Sequence, residues 1–138
     1  MLAFCQEHGP FLQENTSEKF HKNPYSWNNE ANVLYIEQPA GVGYSTCDWK
    51  NHPEDCTFND DSSSKDNLEV ILQWYEKYQE FKTNELYITG ESYGGIYVPF
   101  AANQLYHYNQ ANLHSGKFKP NFKGFLVGNG VTNWKYDT

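Results

Sequence analysis

The tightest constraint in this chain is a change of structural period with no loop to absorb it. Leu86-Tyr87-Ile88-Thr89 is a short apolar run, β-branched and aromatic, and reads as a buried strand. Gly90-Glu91-Ser92-Tyr93-Gly94-Gly95 then leads directly into a helix pattern that runs from about Gly95 to Tyr108. A strand turning straight into a helix holds its apex residue in a strained conformation and brings the two elements so close that flanking side chains would collide. Gly90 and Gly94 remove that collision, and Gly95 completes the glycine-rich bend. The apex is Ser92, its side chain thrust out above the strand ends.

The neighbouring segments fit the same architecture. Pro10-Phe11-Leu12-Gln13 reads as a short strand, and residues 14–30 as loop, punctuated by Asn23-Pro24. Val33-Leu34-Tyr35-Ile36 is a continuous apolar run expected to form a strand buried on both faces. Pro39-Ala40-Gly41-Val42-Gly43 ends it, and residues 45–61 form a polar surface excursion. Ser63 and Asp66 fit a capping box, followed by Leu68, Ile71, Leu72 and Tyr75 at helical spacing, with a stop near Phe81. Pro99 is tolerable if it falls in the first turn or so of the second helix. Phe122 to Val127 is a third strand, ending in Gly128-Asn129-Gly130. Strand, helix, strand, helix, strand predicts an α/β fold with a parallel sheet and right-handed crossovers. Three strands would leave open edges. The expected reading is therefore one partial domain, 1–138, cut from a larger sheet at both ends, ahead of a small complete flavodoxin-like domain.

Composition narrows the function. Seventeen Asp and Glu against ten Lys and Arg give a net charge of -7, which argues against a nucleic-acid partner. No apolar run approaches the ~20 residues of a membrane span, and no signal segment opens the chain. Cys47 and Cys56 are close enough in sequence to close one loop, leaving Cys5 free or paired elsewhere. Asn15-Thr16-Ser17 is a glycosylation sequon, relevant only in a secreted or lumenal protein. With no CxxC and no metal-type His/Cys spacing, neither metal nor cofactor is expected.

Gly90-Glu91-Ser92-Tyr93-Gly94 matches the G-x-S-x-G pattern in its required strand-to-helix context. Ser92 is thus a candidate nucleophile, and the Tyr93 backbone N–H points to where an oxyanion would form, aided by the helix N-terminus. The longer stretch from Thr89 to Pro99 resembles the active-site signature of serine carboxypeptidases, α/β-hydrolase-fold peptidases that include lysosomal cathepsin A. Three further blocks are similar and occur in the family's order: Glu7-His8-Gly9-Pro10-Phe11, then Asn23-Pro24-Tyr25-Ser26-Trp27 leading into Asn32 to Ser45, and finally Gly128-Asn129-Gly130.

The resemblance implies acyl transfer through a covalent acyl-enzyme, removing residues from peptide or protein C-termini. It makes Ser92 the nucleophile and the Tyr93 N–H one oxyanion donor. It also implies that Glu91 and Glu7 form a carboxyl pair that hydrogen-bonds the substrate's free carboxylate. Carboxylates held that close cannot all ionise, so some must keep a proton, and an acidic optimum is expected. A second oxyanion donor, from a Gly-rich segment, is expected before Met1.

A triad also needs a base and an orienting acid, which in this fold follow the serine as acid, then histidine. After Ser92 stand only His107, His114 and Asp137, in the wrong order. His107 lies ~20 Å along the second helix. Both histidines read as surface residues, and the isolated chain is expected to be inactive. Two alternatives share the elbow: a carboxypeptidase-like acyltransferase and a non-catalytic binding module. A lysosomal, vacuolar or secreted location follows from the resemblance alone.

Overall fold

The computed structural model describes residues 3–13, 19–133 and 135–137; the Asn15 sequon lies outside them. The chain forms two compact units, Met1–Cys56 and Thr57–Thr138.

The first unit begins with a π-helical turn, Ala3–Glu7, followed by two short antiparallel strands, β1 (Phe11–Gln13) and β2 (Phe20–Lys22). Its buried side chains include the polar Asn23 and Ser26. The buried Asn23 donates through Nδ2 to the carbonyls of Gly9 (2.9 Å) and Glu7 (3.4 Å), while its Oδ1 accepts from Tyr25 N–H. Ser26 caps the 3-10 turn Trp27–Asn29, accepting from the Asn28 N–H. The His8 ring stacks on Trp27 at 4.3 Å, and its Nδ1 pairs with the Tyr35 hydroxyl at 3.0 Å. Cys47 and Cys56 are disulfide-bonded, with Cα atoms 5.8 Å apart, and Cys5 is a free thiol.

Two expectations fail in this unit. Residues 14–30 are not all loop, because β2 and the Trp27–Asn29 turn fall within them. The Val33–Ile36 run is not a strand: no ladder partner pairs with it among the described residues, and Leu34 is 44% exposed. Apolar periodicity reports the side chains, whereas a strand is defined by the neighbour it bonds to.

The second unit carries α1 (Asp60–Lys77), a 3-10 turn (Gln79–Phe81), β3 (Glu85–Glu91), α2 (Gly94–Ala111) and β4 (Asn121–Gly128). The helix starts earlier than the Ser63–Asp66 pattern predicts. Asn59 is the N-cap: its side chain accepts from Ser62 N–H at 2.8 Å, and Ser62 Oγ accepts from Asn59 N–H at 3.1 Å. Asp60 and Asp61 then occupy the first turn, where the helix dipole favours negative charge. Four further residues, Ser64, Asn67, Ile71 and Tyr75, form the buried stripe of α1. Helix α2 buries Val98, Ala101, Ala102 and Leu105. This face packs on α1 and on both strands. The α-helix stops at Lys77, short of Phe81, and Pro99 lies inside α2, beyond the expected first turn.

β3 and β4 run parallel, joined through α2, with Glu85 opposite Asn121 and Glu91 opposite Gly128. A βαβ unit of this kind is the basic step of an α/β sheet. Burial alternates along β3, and Tyr87 is 51% exposed, so the strand is not enclosed on both faces as its apolar run predicts.

Candidate active site

The site is built at the end of β3. Glu91 is the last strand residue and Gly94 the first of α2, leaving Ser92 and Tyr93 to make the entire reversal. Ser92 has φ 57°, in the left-handed region that costs an L-residue ~1–2 kcal/mol. Three backbone hydrogen bonds hold it there. Its N–H donates to Gly128 O at 3.0 Å, and its carbonyl accepts from Gly95 N–H at 2.9 Å and Val131 N–H at 2.8 Å. The side chain is exposed. The bend is thus tied to the far end of the neighbouring strand, and the serine is presented on a fixed backbone.

The glycines divide this work unevenly. A methyl group on Gly90 would come within 2.6 Å of Val98 Cγ2 and 3.4 Å of Gly94 Cα. On Gly95 it would run into the backbone of Val131. On Gly94 it would meet nothing nearer than 3.7 Å. The expectation that Gly94's own side-chain position is crowded is therefore corrected: Gly94 is the surface Gly90 approaches, and Gly95 carries the closest contact. After β4, Asn129 takes φ 43°, and a methyl on Gly130 would strike Val127.

Tyr93 precedes α2 with helical dihedrals, φ -59° and ψ -13°, and its N–H belongs to a helix N-terminus with no acidic residue in the first turn. Such a terminus favours negative charge. The Tyr93 ring leans on Tyr97, centroids 5.7 Å apart, and its hydroxyl lies 3.2 Å from both carboxylate oxygens of Asp60. Partial desolvation, then the Asp60 charge and hydrogen bond, push the phenol's pKa up, keeping it protonated. Sequence reasoning missed Asp60, which carries no motif and sits 33 residues from Tyr93.

Glu91 is exposed beside Ser92, its side chain 3.9 Å from the position a Gly128 methyl would occupy. Glu7 is exposed in the first unit, at the end of the π-helical turn, and its charge adds to burial in raising the Tyr35 pKa. His107 lies exposed near the far end of α2, against Tyr106, and His114 is exposed beyond it. The Asp137 carboxylate accepts from Thr132 N–H and Oγ1 and from Asn133 N–H, so it closes a turn. Among the described residues, His52, Glu54 and Asp55 bring three ligand-type atoms within 4.8 Å of one another, all on exposed side chains.

A parallel βαβ unit with a strained serine at its strand-to-helix bend defines a partial α/β-hydrolase fold. The comparisons with known proteins specify it further. The serine carboxypeptidase family model matches residues 1–138, and the chain belongs to that family. It is 41% identical over 142 residues to serine carboxypeptidase-like 21 of Arabidopsis thaliana, covering 99% of this chain and 27% of that protein. Serine carboxypeptidase 24 of the same plant is 40% identical over 135 residues, covering 96% of this chain and 28% of that protein. Among solved structures, a prohormone-processing carboxypeptidase from Saccharomyces cerevisiae superposes with a TM-score of 0.81 at 28% identity. That match covers 95% of this chain and 28% of the yeast protein. The chain therefore spans little more than a quarter of each relative's length.

Proposed function

We propose that these residues form the nucleophile-bearing part of a serine-type carboxypeptidase that releases C-terminal residues from peptides through an acyl-enzyme. The observation that carries the reading is Ser92 at φ 57°, held by backbone hydrogen bonds at the junction of β3 and α2. Ser92 Oγ attacks the scissile carbonyl, and the Tyr93 N–H stabilises the oxyanion. Glu91 receives the substrate's terminal carboxylate, and hydrolysis is fastest at acidic pH.

The base and its orienting acid come from elsewhere in the full-length protein. In support of this, His107 and His114 are remote from the bend along the chain, and Asp137 is occupied in its own turn. The 138 residues alone are accordingly inactive. A disulfide between Cys47 and Cys56 fits a vacuolar, lysosomal or extracellular location, since such bonds persist in oxidising compartments.

The test uses full-length protein. A fluorophosphonate should label wild type and not Ser92→Ala, and blocked dipeptides with a free carboxylate should be hydrolysed faster than their amides. Labelling that persists in Ser92→Ala, or equal rates on acid and amide, would overturn the reading.

A further inference from the structure

We infer that Asp60 is a positioning residue for the oxyanion donor: through the Tyr93 hydroxyl it fixes the residue whose N–H faces the developing charge. The inference rests on the proposed acyl-transfer role of Ser92 and Tyr93.

The geometry has three parts. First, the peptide plane that carries the Tyr93 N–H is held at its carbonyl end by the Gly95 and Val131 N–H groups, and Tyr93 adds a tether through its side chain. Ser92 occupies a strained backbone conformation whose relaxation would turn the peptide plane it shares with Tyr93, and with it the Tyr93 N–H. Backbone bonds anchor Ser92 and also the Tyr93 carbonyl, which accepts from Ile96 N–H at 2.9 Å, and the Tyr93 side chain extends to a further anchor. Second, the backbone that carries the anchor is held by hydrogen bonds of its own. Asp60 is the first residue of α1, and the reciprocal Asn59–Ser62 cap immobilises the backbone that carries it. Third, the link is rigid. A tyrosine side chain has only two soft torsions ahead of its planar ring, and here the hydroxyl donates to a carboxylate that it reaches equally at 3.2 Å through either oxygen. Tyr97, one turn into α2, supports the ring from the side. The phenol is therefore a strut between the start of α1 and the bend that starts α2.

A donor directed at charge that appears only in the transition state changes kcat and leaves ground-state binding alone. Loosening the strut should do the same. Its bond to an ionised acceptor is part-exposed, so the expected effect is about five- to tenfold.

The experiment is a double-mutant cycle in full-length enzyme, read as kcat and KM on a peptide and on an ester, with thermal melts of every variant. Tyr93→Phe and Asp60→Ala should each lower kcat about five- to tenfold with KM within about twofold, and the double variant should be no slower than either single. Asp60→Asn, which keeps an acceptor, should recover part of the loss. Asp61→Ala removes the neighbouring first-turn acid, which pairs with Lys65, and should leave kcat unchanged. Multiplicative losses in the double variant, or an Asp61→Ala defect equal to that of Asp60→Ala, would reduce Asp60 to a helix-capping charge. Wild-type protein that neither labels at Ser92 nor turns over would remove the acyl-transfer reading itself, whereas an active wild type with no coupling removes only the strut.

Discussion

The carbonyl oxygen of Ser92 accepts a hydrogen bond from the Val131 N–H at 2.8 Å. Val131 follows β4, beyond Gly128-Asn129-Gly130, and Ser92 follows β3, so the bond joins what lies past the ends of two parallel neighbours. It requires the chain after β4 to pass directly over the start of α2. Gly95 permits that passage, since any side chain there would occupy the space of the Val131 backbone. The strained serine and the glycine three residues on are thus two consequences of one close crossing.

Gly95→Ala should therefore destabilise the full-length protein by about 2–3 kcal/mol, because backbone cannot yield as a flexible side chain can. Gly94→Ala should be nearly neutral in stability, as its nearest contacts are ordinary ones at 3.7 Å and alanine is the better helix former. Denaturant midpoints of the two variants check the contrast. Equal losses would mean that the crossing is looser than these contacts imply.

Gly90 and Val98 form a second tight pair, and here the neighbour is a side chain. Gly90→Ala should cost about 1–3 kcal/mol by forcing Val98 Cγ2 away. Val98→Ala alone costs a similar amount by opening a cavity in the α2 face. Combined, the two should cost clearly less than their sum, since the new methyl fills the space vacated. Additive losses would show that the contact does not control the approach of α2 to β3.

The backbone of Ser92 offers a test of stored strain that is independent of chemistry. Ser92→Ala and Ser92→Gly both remove the hydroxyl, but only glycine adopts φ 57° without a Cβ penalty. Ser92→Gly should be more stable than Ser92→Ala by about 1 kcal/mol, although glycine usually weakens a fixed position. Identical melting temperatures would mean that the bend relaxes once the hydroxyl is gone.

Much of this site is legible in the sequence because its physics is local. A strand pattern meeting a helix pattern across Gly90 to Gly95 leaves the chain one way to turn, and the structure takes it. The readings that fail depend on partners. Val33–Ile36 has a strand's side chains, but strand identity resides in a ladder that periodicity cannot report. The start of α1 is a contest between two polar pairs of the same spacing, Asn59 with Ser62 and Ser63 with Asp66. Asn59 prevails, with Asp60 and Asp61 placed favourably at the helix dipole and the buried stripe reaching back to the polar Ser64 and Asn67. That polar stripe hid the first turns from a count of apolar residues. Asp60 was unreadable for a different reason: its significance comes from a tyrosine 33 residues away, and nothing in its own surroundings signals the pairing.

Acid should loosen the segment after β4 through Asp137. Its carboxylate accepts the Thr132 and Asn133 N–H groups, then the Thr132 hydroxyl, and these bonds lower its pKa below the usual 3.8. A carboxylate whose folded pKa is depressed stabilises the fold above its unfolded value, and that contribution fades as pH falls through the folded pKa. Asp137→Asn should therefore melt below wild type at neutral pH, with the gap constant down to about pH 4 and closing only below it. The full-length pair, melted in parallel across that range, provides the check. A gap that widens on acidification would reverse the sign and mean that Asp137 is better accommodated protonated, which three donors converging on one carboxylate do not favour.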